Sequence, residues 1–220
     1  MPRTIFGEDF KKVYEPSEDT FLLLDSLEQD LPSLESTASI CLECGSGSGL
    51  VITALSKALQ NTGSTRRLMI ATDINAAACK TTRKCADFHQ QEGIQIVRTN
   101  LAESLVDRLK NCVDLLIFNP PYVPTELSEI ESATNNQLCL SWAGGQDGRR
   151  TTDVFLRQYV PQLLSKPHGV AYLVAIEANN IEALQGLLLT DHGIDGSVIM
   201  RRRAGIESLS VIKYTWTNQE

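Results

Sequence analysis

"ICLECGSGSGL", residues 40–50, joins a short apolar run to three glycines that alternate with serine, then enters a stretch with helical periodicity. The run Ser39–Cys44 reads as a buried strand, and Leu50–Leu59 as a helix with one apolar stripe. Between them, Gly45, Gly47 and Gly49 let the backbone turn sharply and approach a ligand, with amide groups exposed at a helix N-terminus. The spacing is not the Gly-x-Gly-x-x-Gly of dinucleotide sites, and the Lys-Ser/Thr of a phosphate-binding loop is missing. Glu43 stands just before the first glycine, where its charge repels a pyrophosphate and attracts a cation. A ligand carrying an ammonium or sulfonium group suits this loop.

Beyond the loop, short apolar runs alternate with longer amphipathic ones. Leu68–Thr72 reads as strand, Ala76–Gln90 as helix, and Ile94–Val97 and Val113–Phe118 as strands. After a long loop come helical Thr152–Leu164, strand Val170–Ala175 and helical Ile181–Leu189. Two final β-rich segments follow, Ser197–Arg201 and Glu207–Thr215, joined by a connection too short for a helix, so they pair antiparallel. The order predicts an α/β fold, a doubly wound and mostly parallel sheet of seven strands with helices on both faces. Upstream, "PSEDTFLLLDSLEQD" (16–30) carries a helix start, with Ser17 or Asp19 as cap and Phe21, Leu23, Leu24 and Leu27 at helical spacing. With 220 residues and 42% hydrophobic content the chain fills one sizeable core. The expected organisation is one domain over residues 31–220, with residues 1–30 and their helix packed over the ligand site.

Open parallel sheets bind ligands beyond the carboxyl ends of their strands, where the strand order reverses. The second strand ends in "IATDIN", and Asp73 there can accept two hydrogen bonds from ribose hydroxyls, while Asn75 is free to cap the next helix. A ribose partner, a cation-seeking Glu43 and a loop without phosphate chemistry together favour S-adenosylmethionine over NAD.

The fourth strand ends in "FNPPYV", residues 118–123. Two prolines suffice to stop a strand, but the stretch also suits a chemical problem. A planar NH2 conjugated to a carbonyl or an aromatic ring is a poor nucleophile, because its lone pair is delocalised. To attack a methyl sulfonium it needs acceptors that hold both hydrogens and orient the nitrogen. The Asn119 side-chain oxygen and the Pro120 carbonyl can be those acceptors, the Pro120-Pro121 pair fixes the backbone, and Tyr122 offers a flat wall. No acid, base or metal is required of the protein, since positioning carries most of the barrier reduction.

A formal charge of −7 and a pI near 5.1 argue against a protein that grips nucleic acid through phosphate contacts. Basic runs such as Arg149-Arg150 and Arg201–Arg203 are short, as on the solvated surface of an acidic protein. Cys41, Cys44, Cys79, Cys85, Cys112 and Cys139 are scattered among apolar or helical neighbours, as thiols of a reducing compartment would be, and Cys41-x-x-Cys44 has no second pair at zinc spacing. No metal site is expected. No apolar run reaches the length of a membrane span, and Met1–Phe6 lacks a signal peptide's apolar segment. The expected location is the cytoplasm, with the nucleus as a second compartment.

"EPSEDTFLLLDSL", "LECGSGSGL", "ATDIN", "DLLIFNPPYVP" and "WAGGQDGR" together resemble the HemK-type glutamine methyltransferases, in their eukaryotic and archaeal branch, from about Tyr14 to the C-terminus. The resemblance implies a class I methyltransferase sheet, S-adenosyl-L-methionine as cofactor, and as substrate the glutamine of a Gly-Gly-Gln motif in the class 1 translation termination factor. It implies further that Thr20 reaches the cofactor, that Glu43, Gly45 and Gly47 line its methionine end, and that Asp73 holds the ribose. Asn119, Pro120, Pro121 and Tyr122, continued by Val123, would clamp the substrate amide. Where family members carry Asp near the adenine, this chain has Asn100, which still offers an acceptor oxygen. A small zinc-binding activator subunit is implied as heterodimer partner, and the short apolar segment Gly93–Val97, which the doubly wound order places at a sheet edge, is where it would add a strand. Two other substrates are alternatives. Adenine in DNA presents the same lone-pair problem, and a histone-tail lysine reaches the same cleft but must first lose a proton, which an amide-holding geometry does not assist.

Overall fold

The computed structural model describes residues 9–60, 67–125 and 144–217; Met1–Phe6, Cys139, and Trp142-Ala143 of the "WAGGQDGR" stretch lie outside them. Seven strands form one sheet: β1 Ile40–Cys44, β2 Leu68–Asp73, β3 Gln95–Arg98, β4 Leu115–Phe118, β5 Val170–Ile176, β6 Ile194–Ala204 and β7 Glu207–Trp216. Their order is β3-β2-β1-β4-β5-β7-β6, with β3 at an edge as the doubly wound pattern requires. β1 to β5 run parallel, and β7 runs antiparallel to both β5 and β6.

Strand periodicity sorts the core into two layers. On β4, Leu115 and Ile117 belong to the cluster formed with helices α1 (Glu18–Thr37) and α2 (Leu50–Gln60), while Leu116 and Phe118 pack with Phe155, Leu156 and Val160 on the other face. All four are buried, as a central parallel strand covered on both sides demands. Each such side chain contributes roughly 1.5–3 kcal/mol by leaving water, more than any local propensity. The same alternation separates Cys41 from Cys44. Their odd spacing on β1 sends them into opposite core clusters, so they cannot share a ligand. Burial pushes both thiols up to about 12.

Helix α1 runs on to Thr37 through Pro32, past the end that the sequence pattern suggests. Leu34 is buried against the core, and the Arg67 guanidinium binds the Glu35 and Ala38 carbonyls at the helix end, so tertiary contacts outweigh the hydrogen bond that Pro32 cannot make. The segment expected as one helix over 152–164 is broken. Arg150–Val154 passes through a π-helical turn, Phe155–Tyr159, into Val160–Leu163, and Pro161, which lacks an N–H, follows that turn. β6 begins earlier and ends later than its apolar run, with a register shift between Val198 and Met200. Among the described residues no helix is long and apolar enough to cross a membrane.

Register places the site. Cys44 pairs with Thr72 on one side and Phe118 on the other, so Gly45, Asp73 and Asn119 all lie one residue past the same row of the sheet. Between β1 and β4 the chain's winding reverses, and the carboxyl ends there open into a crevice.

Candidate active site

The crevice holds about 630 Å³, within the range of small-molecule sites. Thr20, Glu43, Gly45, Gly47, Asp73, Asn100, Asn119, Pro120, Pro121, Tyr122 and Val123 all line it, as expected from the sequence, while Gly49 does not. They come from the start of α1, the β1–α2 loop, and the ends of β2, β3 and β4, and are joined by Tyr14, Asp19, Arg98, Arg150 and Glu207.

The glycine loop is built by its own backbone. Gly45, Gly47 and Gly49 hold φ of +65°, +53° and +77°, the left-handed region that other residues enter at a cost. At Gly49 a Cβ would stand 2.6 Å from the Thr82 Cα on helix α3 (Ala76–Phe88), so the loop also depends on close packing. Asp73 braces this loop. Its Oδ2 accepts from the Gly47 N–H at 2.9 Å and its Oδ1 from the Asn75 N–H at 2.8 Å, while Asn75 caps α3 by accepting from Ala77 N. Asp73 is therefore not the helix cap. Burial raises its carboxyl above the usual range, partly offset by those N–H groups. Glu43 lies deeper. Burial, and then the charge of Asp73, pushes its carboxyl well up, against the Ile52 N–H that donates to its Oε2 at 3.0 Å from the first turn of α2.

Asn119 and Tyr122 converge on Asp19, a residue that the sequence pattern marks only as a cap. Ser17 is the N-cap of α1, and Asp19 is buried behind it. Its Oδ2 accepts from Asn119 Nδ2 and from the Tyr122 hydroxyl, both at 3.0 Å; its Oδ1 accepts from the Thr20 N–H at 2.7 Å and from the Tyr14 and Thr20 hydroxyls at 3.3 Å. Burial, then Asp19's charge, raises both phenols, Tyr14 to about 12, so they stay donors. Asn119 Oδ1 is buried and has no hydrogen-bond partner among the described residues.

A second support was not legible as a site. Asn179, past the end of β5, donates to the Tyr122 carbonyl at 2.8 Å and to the Asp147 carbonyl at 3.2 Å, while its Oδ1 accepts from Ile176 N. The turn Gly144–Arg150 thereby packs under the Pro121–Val123 backbone, with Gly144 N donating to the Val123 carbonyl. These contacts give the "GGQDGR" stretch a local reason: it is the floor of the Asn-Pro-Pro-Tyr segment.

A seven-stranded sheet with β7 reversed, carrying a glycine loop and a braced acid beyond the carboxyl ends of β1 and β2, defines a class I methyltransferase, a class that uses S-adenosylmethionine. No family model matches the chain. Human methyltransferase HEMK2 is 45% identical over 209 residues, covering 94% of this chain and 91% of that protein. The fission yeast (Schizosaccharomyces pombe) eRF1 methyltransferase catalytic subunit mtq2 is 36% identical over 216 residues, 94% and 90% of the two chains. The solved E. cuniculi Mtq2-Trm112 complex, which methylates the termination factor eRF1, has a chain that superposes with a TM-score of 0.66 at 26% identity, covering 94% of this chain and 99% of that one. The chain belongs to the HemK-type protein-glutamine methyltransferases, in their eukaryotic branch.

Proposed function

We propose that this chain transfers a methyl group from S-adenosyl-L-methionine to the side-chain amide nitrogen of the glutamine in the Gly-Gly-Gln motif of the class 1 translation termination factor. The observation that carries the reading is the buried Asn119 Oδ1 beside the crevice, which has no hydrogen-bond partner among the described residues. An orphaned buried acceptor costs about 1–3 kcal/mol, and one kept at a site suits a donor brought by a substrate. An amide NH2 is such a donor. Asn119 Oδ1 takes one of its hydrogens, the Pro120 carbonyl takes the other, and the Tyr122 ring walls the plane. Held that way, the nitrogen presents its lone pair instead of its hydrogens along the line of attack.

S-adenosylmethionine supplies a methyl already activated on a sulfonium and departs as the neutral thioether, the amide nitrogen giving up one proton to solvent, so the protein's task is placement. In this reading Thr20 reaches the cofactor, Glu43, Gly45 and Gly47 line its methionine end, and Asp73 receives the ribose hydroxyls. Asn100 offers an acceptor at the adenine end. The fission yeast relative named for eRF1 supports the substrate, and the E. cuniculi complex with Trm112 supports the small zinc-binding activator subunit that the resemblance implies. We place that partner on the edge strand β3 and the heterodimer in the cytoplasm, where termination occurs, with the nucleus second.

The test is transfer of labelled methyl by the heterodimer to a termination factor, a DNA duplex and a histone-tail peptide, with the modified residue located by mass spectrometry. The expected product is a methylated Gly-Gly-Gln glutamine, lost by at least about 100-fold in Asn119→Ala. Label on adenine or lysine in preference to glutamine, or undiminished transfer by the variant, would overturn the proposal.

A further inference from the structure

We infer that Asp19 is the positioning residue that decides which end of the Asn119 carboxamide is left for the substrate; the inference rests on the amide-clamp reading above. A carboxamide is nearly symmetric in shape, and its oxygen and NH2 ends exchange places by a half-turn about χ2. The two orientations are opposite in chemistry. With Oδ1 free, Asn119 accepts a hydrogen from a substrate NH2; with Nδ2 free, it confronts that NH2 donor to donor, and the clamp fails.

Nothing in Asn119 itself or in its two following prolines selects between the ends. Asp19 does. It is 3% exposed, and its two oxygens receive Asn119 Nδ2, the Tyr122 hydroxyl, the Tyr14 hydroxyl and both donors of Thr20. Flipping Asn119 would exchange a bond between the amide NH2 and an acceptor-only carboxylate for an oxygen–oxygen contact in a buried site. The same carboxylate holds the Tyr122 hydroxyl, so the clamp's acceptor and its aromatic wall are set by one group on α1, 100 residues away in sequence from Asn119. The Tyr14 and Thr20 bonds keep Asp19 from turning toward either member alone.

The test compares the full chain with its activator against Asp19→Asn, Asn119→Asp and the exchanged pair Asp19→Asn/Asn119→Asp. In Asp19→Asn the Thr20 N–H keeps the new amide's oxygen, its NH2 meets Asn119 Nδ2 donor to donor, Asn119 turns over, and kcat on a Gly-Gly-Gln substrate falls about 10- to 100-fold, with the substrate KM and cofactor Kd within about threefold of the parent. In Asn119→Asp two carboxylates face each other. The exchanged pair restores a donor opposite an acceptor and leaves one carboxylate oxygen free, so it recovers activity over Asn119→Asp alone. A loss caused only by damage to the fold would not be rescued by a second substitution.

An acceptor-independent readout accompanies these rates. The Asn119 side-chain NH2 pair, assigned by 15N NMR, exchanges slowly with solvent in the parent and rapidly in Asp19→Ala. If the parent shows this protection but transfers no methyl to glutamine, the proposed function fails and the role of Asp19 stands. Unprotected Asn119 amide protons in an active parent, unchanged kcat in Asp19→Asn, or no recovery in the exchanged pair would each overturn the inference.

Discussion

The carboxamide nitrogen of Asn179 donates to the backbone carbonyl of Tyr122 at 2.8 Å across 57 residues of chain, tying the end of β5 to the segment that follows β4. Asn179 is 1% exposed, and its other end receives the Ile176 N–H. Asn179→Ala removes one side chain and strips partners from two carbonyls and one amide. The expected cost is about 2–3 kcal/mol in urea unfolding, with methyl transfer falling more steeply than cofactor affinity, because the Tyr122 backbone loosens while the glycine loop is untouched. A loss under about 0.5 kcal/mol would show that solvent takes over these bonds.

Gly148 makes the same tie from below. Its φ is +64°, and a Cβ there would stand 2.0 Å from the Tyr122 carbonyl oxygen and 2.4 Å from Asn179 Nδ2. Neither neighbour is the loose end of a flexible side chain. Gly148→Ala therefore has to displace the Tyr122 backbone, and transfer is expected to drop at least about tenfold with cofactor Kd held within about twofold. Isothermal titration and steady-state assays on the same preparation check both halves of that expectation.

The parts of this site legible in the sequence are those whose chemistry is local. Gly45 and Gly47 announce backbone freedom, Asp73 sits at a strand end, and the Pro120-Pro121 pair declares a rigid exit from β4. The doubly wound rule then brings them to one edge, and the register of Cys44 with Thr72 and Phe118 does so. Asp19 and Asn179 stayed hidden because each acts only through partners far away in sequence. In the sequence, Asp19 matches a helix cap and Asn179 a loop residue. Pro32 misleads for a related reason: its local cost is offset by Leu34 burial and by Arg67, and both act through contacts with parts of the chain distant in sequence.

Arg67 gives a prediction on the opposite side of the molecule from the chemistry. Its guanidinium donates to the carbonyls of Glu35 and Ala38 at the end of α1 and of Leu59 near the end of α2, at 2.6, 3.1 and 2.8 Å. Carbonyls at a helix end are the ones a donor from elsewhere in the chain can reach. Arg67→Ala should destabilise the fold by about 2 kcal/mol, and Arg67→Lys should recover only part of this, since one ammonium cannot span both helix ends. Thermal melts of the three proteins distinguish the outcomes, and full recovery by lysine would mean that charge alone matters.

Glu43 should trade stability against binding, with a pH dependence of defined sign. Its folded carboxyl titrates well above the ordinary 4.5, first because it is buried and then because Asp73 is near. Over the interval between those two values the native state binds more protons than the unfolded chain, so stability falls as pH rises through it. Above the folded value the full cost of a buried carboxylate is present; below 4.5 it is absent. Glu43→Gln keeps an acceptor for Ile52 N and removes the charge, so at pH 7–8 the variant should be more stable than the parent by about 1 kcal/mol. That advantage should shrink as pH is lowered toward 5, while Asp73, which titrates in both proteins, largely cancels in the difference. Cofactor affinity should move the other way, weakening by about tenfold at a pH above the folded value, where the substitution removes a charge that attracts a cationic ligand. Melting curves of both proteins from pH 5 to 8 check the sign; an advantage that grows toward acid would mean the Glu43 carboxylate stabilises the fold.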